Sequence, residues 1–295
     1  GTVFKRQFSK QITNVGVLGA GQMGTGIAIV ANRVAGHNVK IIDTSEDVLS
    51  KSNTFIEKWC DKEIGKDRLT KDEKYDILNR FTYSTKLEDL DKSDIVIEAI
   101  VENFDVKKNV FKTLEQVTPS DTILASNTSS ISITKIAGVI PNRADKVIGM
   151  HFMNPVPVMK LVEIIKGLQT SQDTLDTVLD LAKSMNKITS TARDTPGFIA
   201  NRILIPYINE AVYALYEGIG TAEDIDTTMK YGTNVPMGPL TLADFIGLDT
   251  VLSIMQILHS ELADSKYRPC PLLVNYVDAG YLGRKSGRGF YNYKK

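Results

Sequence analysis

Val15-Gly16-Val17-Leu18-Gly19-Ala20-Gly21-Gln22-Met23-Gly24, followed 19 residues later by Asp43, decides the fold of this chain. A short apolar run leads into Gly19-x-Gly21-x-x-Gly24. A helical pattern follows, carried by Ile27, Ala28, Val30, Ala31 and Val34. A second apolar run, Val39-Lys40-Ile41-Ile42, then stops at the acid. Strand, glycine turn, helix, strand and acid in this order form the dinucleotide-binding fingerprint. Gly19 permits the tight turn, Gly21 lets the backbone approach a pyrophosphate, and Gly24 lets the helix pack close to the strand. Gln22 and Met23 open the helix, whose first N–H groups and positive dipole end face the phosphates. Asp43 is placed to accept hydrogen bonds from an adenosine ribose. It would repel a 2′-phosphate, so the cofactor expected is NAD rather than NADP.

Outward from this stretch, strands and helices alternate. Residues 94–99 read as a buried strand, 104–117 as a helix and 122–126 as another strand. Residues 146–151 and 160–165 read as two strands joined by the Asn154-Pro155-Val156-Pro157 loop. A helix over 175–185 and a last strand at 188–191 come next. Such alternation predicts a doubly wound α/β sheet. Residues 47–80 are lysine-rich, longer than one crossover needs, and predict a helical excursion beside the sheet. Asp194-Thr195-Pro196-Gly197 is the strongest break in the chain. Beyond it, Ile199, Ile203, Leu204, Tyr207, Ile208, Ala211, Val212 and Leu215 keep the 3.6-residue period, with Pro206 expected to kink the helix or loosen a turn. The predicted organisation is a Rossmann-type domain over 12–194 and an all-α domain over 195–295. That second domain carries more apolar surface than about a hundred residues readily hide, so it is expected to form a homodimer.

Composition excludes several classes. The 295 residues hold 35 basic and 35 acidic side chains, which leaves no nucleic-acid footprint. No apolar run approaches the ~20 residues of a membrane span. Cys60 and Cys270 have no metal-ligand or redox spacing, and no metal is expected. The first residues are basic and free of acids, and Arg6-Gln7-Phe8-Ser9 resembles a mitochondrial processing site. A mitochondrial matrix address is therefore expected, with the cytoplasm as the alternative.

The chemistry is expected at the carboxyl ends of the strands. Ser126-Asn127-Thr128-Ser129-Ser130 follows one strand, and His151-Phe152-Met153-Asn154-Pro155 ends the next. If that strand pairs with 160–165 across the proline loop, Glu163 faces the His151 ring. A carboxylate there fixes the imidazole tautomer and suits it to act as a general base.

Together with Glu98-Ala99-Ile100-Val101-Glu102-Asn103, Asp194-Thr195-Pro196-Gly197-Phe198 and Gly287-Arg288-Gly289-Phe290-Tyr291, these motifs resemble the L-3-hydroxyacyl-CoA dehydrogenase family over nearly all of residues 12–293. The resemblance implies reversible NAD-dependent oxidation of a (S)-3-hydroxyacyl-CoA, as in fatty acid β-oxidation. It implies His151 and Glu163 as the catalytic dyad. Ser129 would meet the reacting oxygen, Asn201 would complete the site, and Asn154 would sit beside histidine, cofactor and substrate. Glu102, Lys107 and Asn127 would line the nicotinamide half, and Lys66 would meet the CoA phosphates. Residues 32–37 are one residue longer than the family's usual helix end, which makes His37 structural. Glu98 can face the cofactor or cap its strand. Alternatives are a 3-hydroxybutyryl-CoA dehydrogenase of butyrate metabolism, a gulonate-type dehydrogenase of a small hydroxy acid, and a non-catalytic lens-type protein. Intact Ser129, His151, Glu163 and Asn201 argue against the last.

Overall fold

The computed structural model describes residues 10–293; the processing-site pattern at 6–9 lies outside them. The chain divides into two compact units, Gly1–Thr195 and Pro196–Lys295.

The first unit is built on one sheet. Its strands are β1 (Asn14–Leu18), β2 (Asn38–Ile42), β3 (Phe81–Ser84), β4 (Ile95–Glu98), β5 (Ile123–Ser126), β6 (Val147–Phe152), β7 (Leu161–Lys166) and β8 (Ile188–Arg193). Their order is β3-β2-β1-β4-β5-β6-β7-β8. All pairings are parallel except β6 with β7. The central strands are buried on both faces, so they read as continuous apolar runs without alternation. Helices α1 (Gln22–Ile29), α4 (Phe104–Val117), α5 (Ile133–Ala137) and α6 (Gln172–Ser184) form crossovers. Asn103, Ser132 and Ser171 cap the last three by accepting a backbone N–H. This is the Rossmann-type doubly wound arrangement, with its reversal of strand order beside β1 and β4.

Two local features depart from the expected pattern. The excursion is α2 (Glu46–Ile64) and α3 (Lys71–Asn79), the latter opened by a Thr70–Glu73 capping box. It then delivers β3, an edge strand that the sequence pattern does not announce. After α1 the chain makes a π turn, Val30–Val34, in which Ala35 N–H reaches back five residues to the Val30 carbonyl. Asn32 is fully buried and anchors this turn. Its amide donates to the Ile77 carbonyl at 3.0 Å, and Arg80 donates to its side-chain and main-chain oxygens.

Helices α7 (Ala200–Tyr216), α8 (Ala222–Gly232), α9 (Pro239–Ile246), α10 (Leu248–Leu262) and α11 (Pro271–Asp278) make the second unit. Its core centres on Ile208, Val212, Leu240, Val251, Met255 and Leu258. Helix α7 runs unbroken through Pro206. Buried Asp244 accepts from the Phe290 and Tyr291 N–H groups and the Tyr293 hydroxyl, fastening the chain end. A Cβ on Gly289 would lie 1.9 Å from that carboxylate, so the Gly287-Arg288-Gly289-Phe290-Tyr291 motif is a packing device. No single helix among the described residues is long and apolar enough to cross a membrane.

Candidate active site

The glycine turn connects β1 to α1. Gly19 has φ +102°, and a Cβ there would sit 2.4 Å from the Ala99 carbonyl. On Gly24 a Cβ would fall 1.8 Å from the Gly19 carbonyl, so α1 can start this close to the strand only with glycine. A Cβ on Gly21 would meet nothing within 4 Å: this is the open side, where a pyrophosphate has room against the backbone. Gln22 is exposed and Met23 half-buried at the helix start. Asp43 follows β2 and accepts from Ala20 N–H at 2.9 Å and from Ser45 N–H at 3.0 Å. Each carboxylate oxygen keeps lone-pair capacity for a hydroxyl. Beside it lies a cleft of about 400 Å³, lined by Gly19, Gly21, Asp43, Val48, Leu87 and Val106 among others. Its lining is largely apolar, with Asp43 the one acid in it among the described residues. Turn, acid and cleft fit NAD.

At the next strand ends the sequence hides a charged core. Glu98 closes β4 and is fully buried. It accepts from Ser126 Oγ at 2.8 Å, from Ile100 N–H at 2.9 Å and from Lys107 Nζ at 2.6 Å. Lys107 is 1% exposed, so its ammonium is given to Glu98 rather than to an open wall. It also lies 3.9 Å from Glu102, which is partly exposed. Burying the Glu98–Lys107 pair is tolerable because neighbouring donors satisfy the carboxylate. Glu102 in turn takes Thr128 Oγ1 at 2.6 Å, Ser129 N–H at 3.1 Å and Ser129 Oγ at 3.4 Å. Asn127 Oδ1 accepts Phe152 N–H at 2.9 Å, tying the loop after β5 to the end of β6. Glu98, absent from the expected site, thus underlies it. Its signal was an acid within an otherwise apolar strand, which demands a buried cation.

His151 and Glu163 are directly paired residues in the antiparallel β6–β7 ladder. Their side chains meet at 3.0 Å, Nδ1 to Oε2, with Glu163 1% and His151 9% exposed. With Nδ1–H donating to the carboxylate, Nε2 is the basic nitrogen of the ring. Asn154, three residues on, accepts Gln22 Nε2 at 3.2 Å, which links this loop to the glycine helix. Lys66 lies elsewhere in the same unit. It lines a second cleft of about 420 Å³, to which Asn154 to Val158 also contribute. Asn201 stands in the first turn of α7, in the second unit.

The family models fit this division of the chain. The 3-hydroxyacyl-CoA dehydrogenase NAD-binding domain matches residues 14–195, and the C-terminal domain of the same family matches 197–293. The chain belongs to the 3-hydroxyacyl-CoA dehydrogenase family. This dehydrogenase is 54% identical to a probable 3-hydroxybutyryl-CoA dehydrogenase of Bacillus subtilis, over 97% of its own length and 99% of the relative's. It is 43% identical to the human mitochondrial hydroxyacyl-coenzyme A dehydrogenase, over 96% and 92%. Among solved structures, the (S)-3-hydroxybutyryl-CoA dehydrogenase of Ralstonia eutropha superposes with a TM-score of 0.94 at 50% identity, covering 97% of this chain and all of that one. The dehydrogenase is accordingly an NAD-dependent oxidoreductase of 3-hydroxyacyl-CoA esters.

Proposed function

We propose that His151 and Glu163 are the catalytic dyad of this dehydrogenase. The reading rests above all on their buried cross-strand contact at 3.0 Å. In the oxidising direction His151 Nε2 takes the proton of the substrate's 3-hydroxyl as the carbon–oxygen bond becomes a carbonyl. NAD, held by the Gly19–Gly24 turn and Asp43, would supply the acceptor for the hydride that leaves the same carbon. Glu163 stabilises the imidazolium, and the proton passes to solvent after product leaves. In reverse the imidazolium returns the proton to the 3-oxygen. Ser129 meets the reacting oxygen, with Glu102 orienting its hydroxyl. Asn201 completes the substrate site. Lys107 acts on the nicotinamide end through Glu98 and Glu102 rather than by direct contact. Asp43 binds the ribose, and Lys66 the CoA phosphates.

The substrate is a short-chain ester, 3-hydroxybutyryl-CoA. Relatives named for that activity are 48–54% identical, against 42–43% for the mammalian hydroxyacyl-CoA enzymes. The same comparison favours the cytoplasmic alternative over the mitochondrial matrix. The second unit carries the homodimer contact, since Ile203, Tyr216, Ile219, Tyr231 and Phe245 are each more than half exposed. Oxidation of NADH with acetoacetyl-CoA and with longer 3-ketoacyl-CoA esters tests the activity and the chain length together. No turnover of any ester would refute the reading, and a preference for long chains would overturn the short-chain assignment.

A further inference from the structure

The 420 Å³ cleft contains a group that the dehydrogenase reaction itself does not require. Along α2 and just past its end, Phe55, Trp59, Lys62 and Lys66 recur at helical spacing and line one side. Phe55 is 54% exposed, a large aromatic left in solvent in a cleft that four cations line. Lys62, Lys66 and Arg68 lie on or just past α2, and Arg33 comes from the π turn. Its guanidinium stacks 5.0 Å from the Trp59 ring centroid. It donates to the Arg68 carbonyl at 2.8 Å and approaches Glu63 at 3.4 Å. Those contacts use two of its five N–H donors. Among the described residues lining the cleft, Glu63 is the only acid, against Arg33, Lys62, Lys66 and Arg68.

The placement of Arg33 comes from the π turn. An α-helical continuation of α1 would turn each later side chain by about 100° per residue, and the wider π turn departs from that, re-aiming the side chains beyond it. Buried Asn32 locks the turn in place, and the next residue is thereby held over Trp59. A stacked guanidinium is a fixed platform as well as a cation. It offers a flat face to a purine and a fork to a phosphate.

We infer that Arg33, set by the π turn, is a specificity residue for the phosphorylated adenosine end of CoA. The inference rests on the acyl-CoA reading above. It predicts an energetic role confined to the part of the substrate far from the reacting carbon, which appears in KM and leaves kcat little changed.

The experiment compares acetoacetyl-CoA with acetoacetyl-pantetheine, which keeps the thioester arm and lacks the nucleotide. Removing one charge-assisted contact of this kind should raise KM for the CoA ester about five- to twentyfold in Arg33→Ala, with kcat within about twofold of wild type. KM for the pantetheine ester should stay close to the wild-type value, and Arg33→Lys should recover part of the loss. An unchanged KM for the CoA ester, or equal losses on both esters, overturns the assignment. If Arg33→Ala fails to fold, Arg33→Gln carries the same comparison, since its amide can still donate to the Arg68 carbonyl. Wild-type enzyme that turns over neither ester would instead sink the acyl-CoA reading itself.

Discussion

As the proposed base, His151 depends for its chemistry on Glu163, which faces it across the β6–β7 ladder. General-base help of this kind contributes ~10²–10⁴-fold. His151→Gln should therefore lower kcat for acetoacetyl-CoA reduction by about that range, while NADH affinity measured by fluorescence stays the same. Turnover close to wild type would remove the histidine from the mechanism. Glu163→Gln should slow the reaction too, because an amide cannot balance a charged ring. Asp43 answers a different question. Its carboxylate holds Ala20 and Ser45 N–H groups and faces the cleft beside the glycine turn. A like charge at 4 Å costs roughly 4 kcal/mol at an effective dielectric of about 20, and less where water screens it. NADH should thus be preferred over NADPH by at least about tenfold in kcat/KM, an energy of ~1.4 kcal/mol. Asp43→Ser should narrow that ratio and also raise the KM for NADH, since the turn loses a restraint. Equal efficiency with both cofactors in the wild type would take Asp43 out of the ribose site.

At the scale of elements, the loop between β6 and β7 is held from below by Lys187, which precedes β8. Its ammonium donates to the Val156 carbonyl at 2.5 Å and the Met159 carbonyl at 2.8 Å. Burial pushes its pKa down from the ordinary lysine value. The folded-state pKa then lies below the unfolded one, so between the two the unfolded chain binds more protons and stability rises with pH. Thermal midpoints taken from pH 8 to 10 should climb relative to those of Lys187→Met, in which this term is gone. Parallel curves for the two proteins would contradict the assignment. Such local effects also show what a sequence can and cannot reveal. The β1–α1–β2 fingerprint and the His151–Glu163 register could be read because each depends on short, fixed spacing. The edge strand β3 could not: only Phe81 of its four residues is buried, and it directly follows a well-capped helix. The family resemblance puts Lys107 on the wall of the nicotinamide half. Only the fold reveals that Glu98, nine residues earlier, takes its charge indoors. Asp194 reads as part of a domain break, yet it caps α5 by accepting from Ser132, Ile133 and Thr134 some 60 residues away.

At the scale of the whole molecule, the second unit has a complete core and still leaves Tyr216, Ile219, Tyr231 and Phe245 largely exposed. Exposed apolar side chains that lie together mark association surfaces, and these are the ones proposed to carry the dimer contact. Sedimentation at micromolar concentration should give twice the 32.6 kDa chain mass, and Tyr231→Glu with Phe245→Glu should shift the protein toward monomer. A wild-type monomer would refute the dimer. Both cysteines are fully buried, and burial raises the pKa of each thiol. A thiol reagent at pH 8 should therefore label neither in the native protein and both in denaturant. Rapid native labelling would show that one of the two cores opens readily.

The antiparallel step at β7 also bears on how the site comes together during folding. Val15 must find Ile95 to close the middle of the sheet, a separation of 80 residues. His151 and Glu163 are only 12 apart, on two strands that form a hairpin. Closing a short loop sacrifices less chain entropy than closing a long one. The dyad can thus be assembled by a local event, before the nucleotide half of the sheet has found its partners. In refolding followed by pulsed hydrogen exchange, amides of β6 and β7 should gain protection no later than those joining β1 to β4.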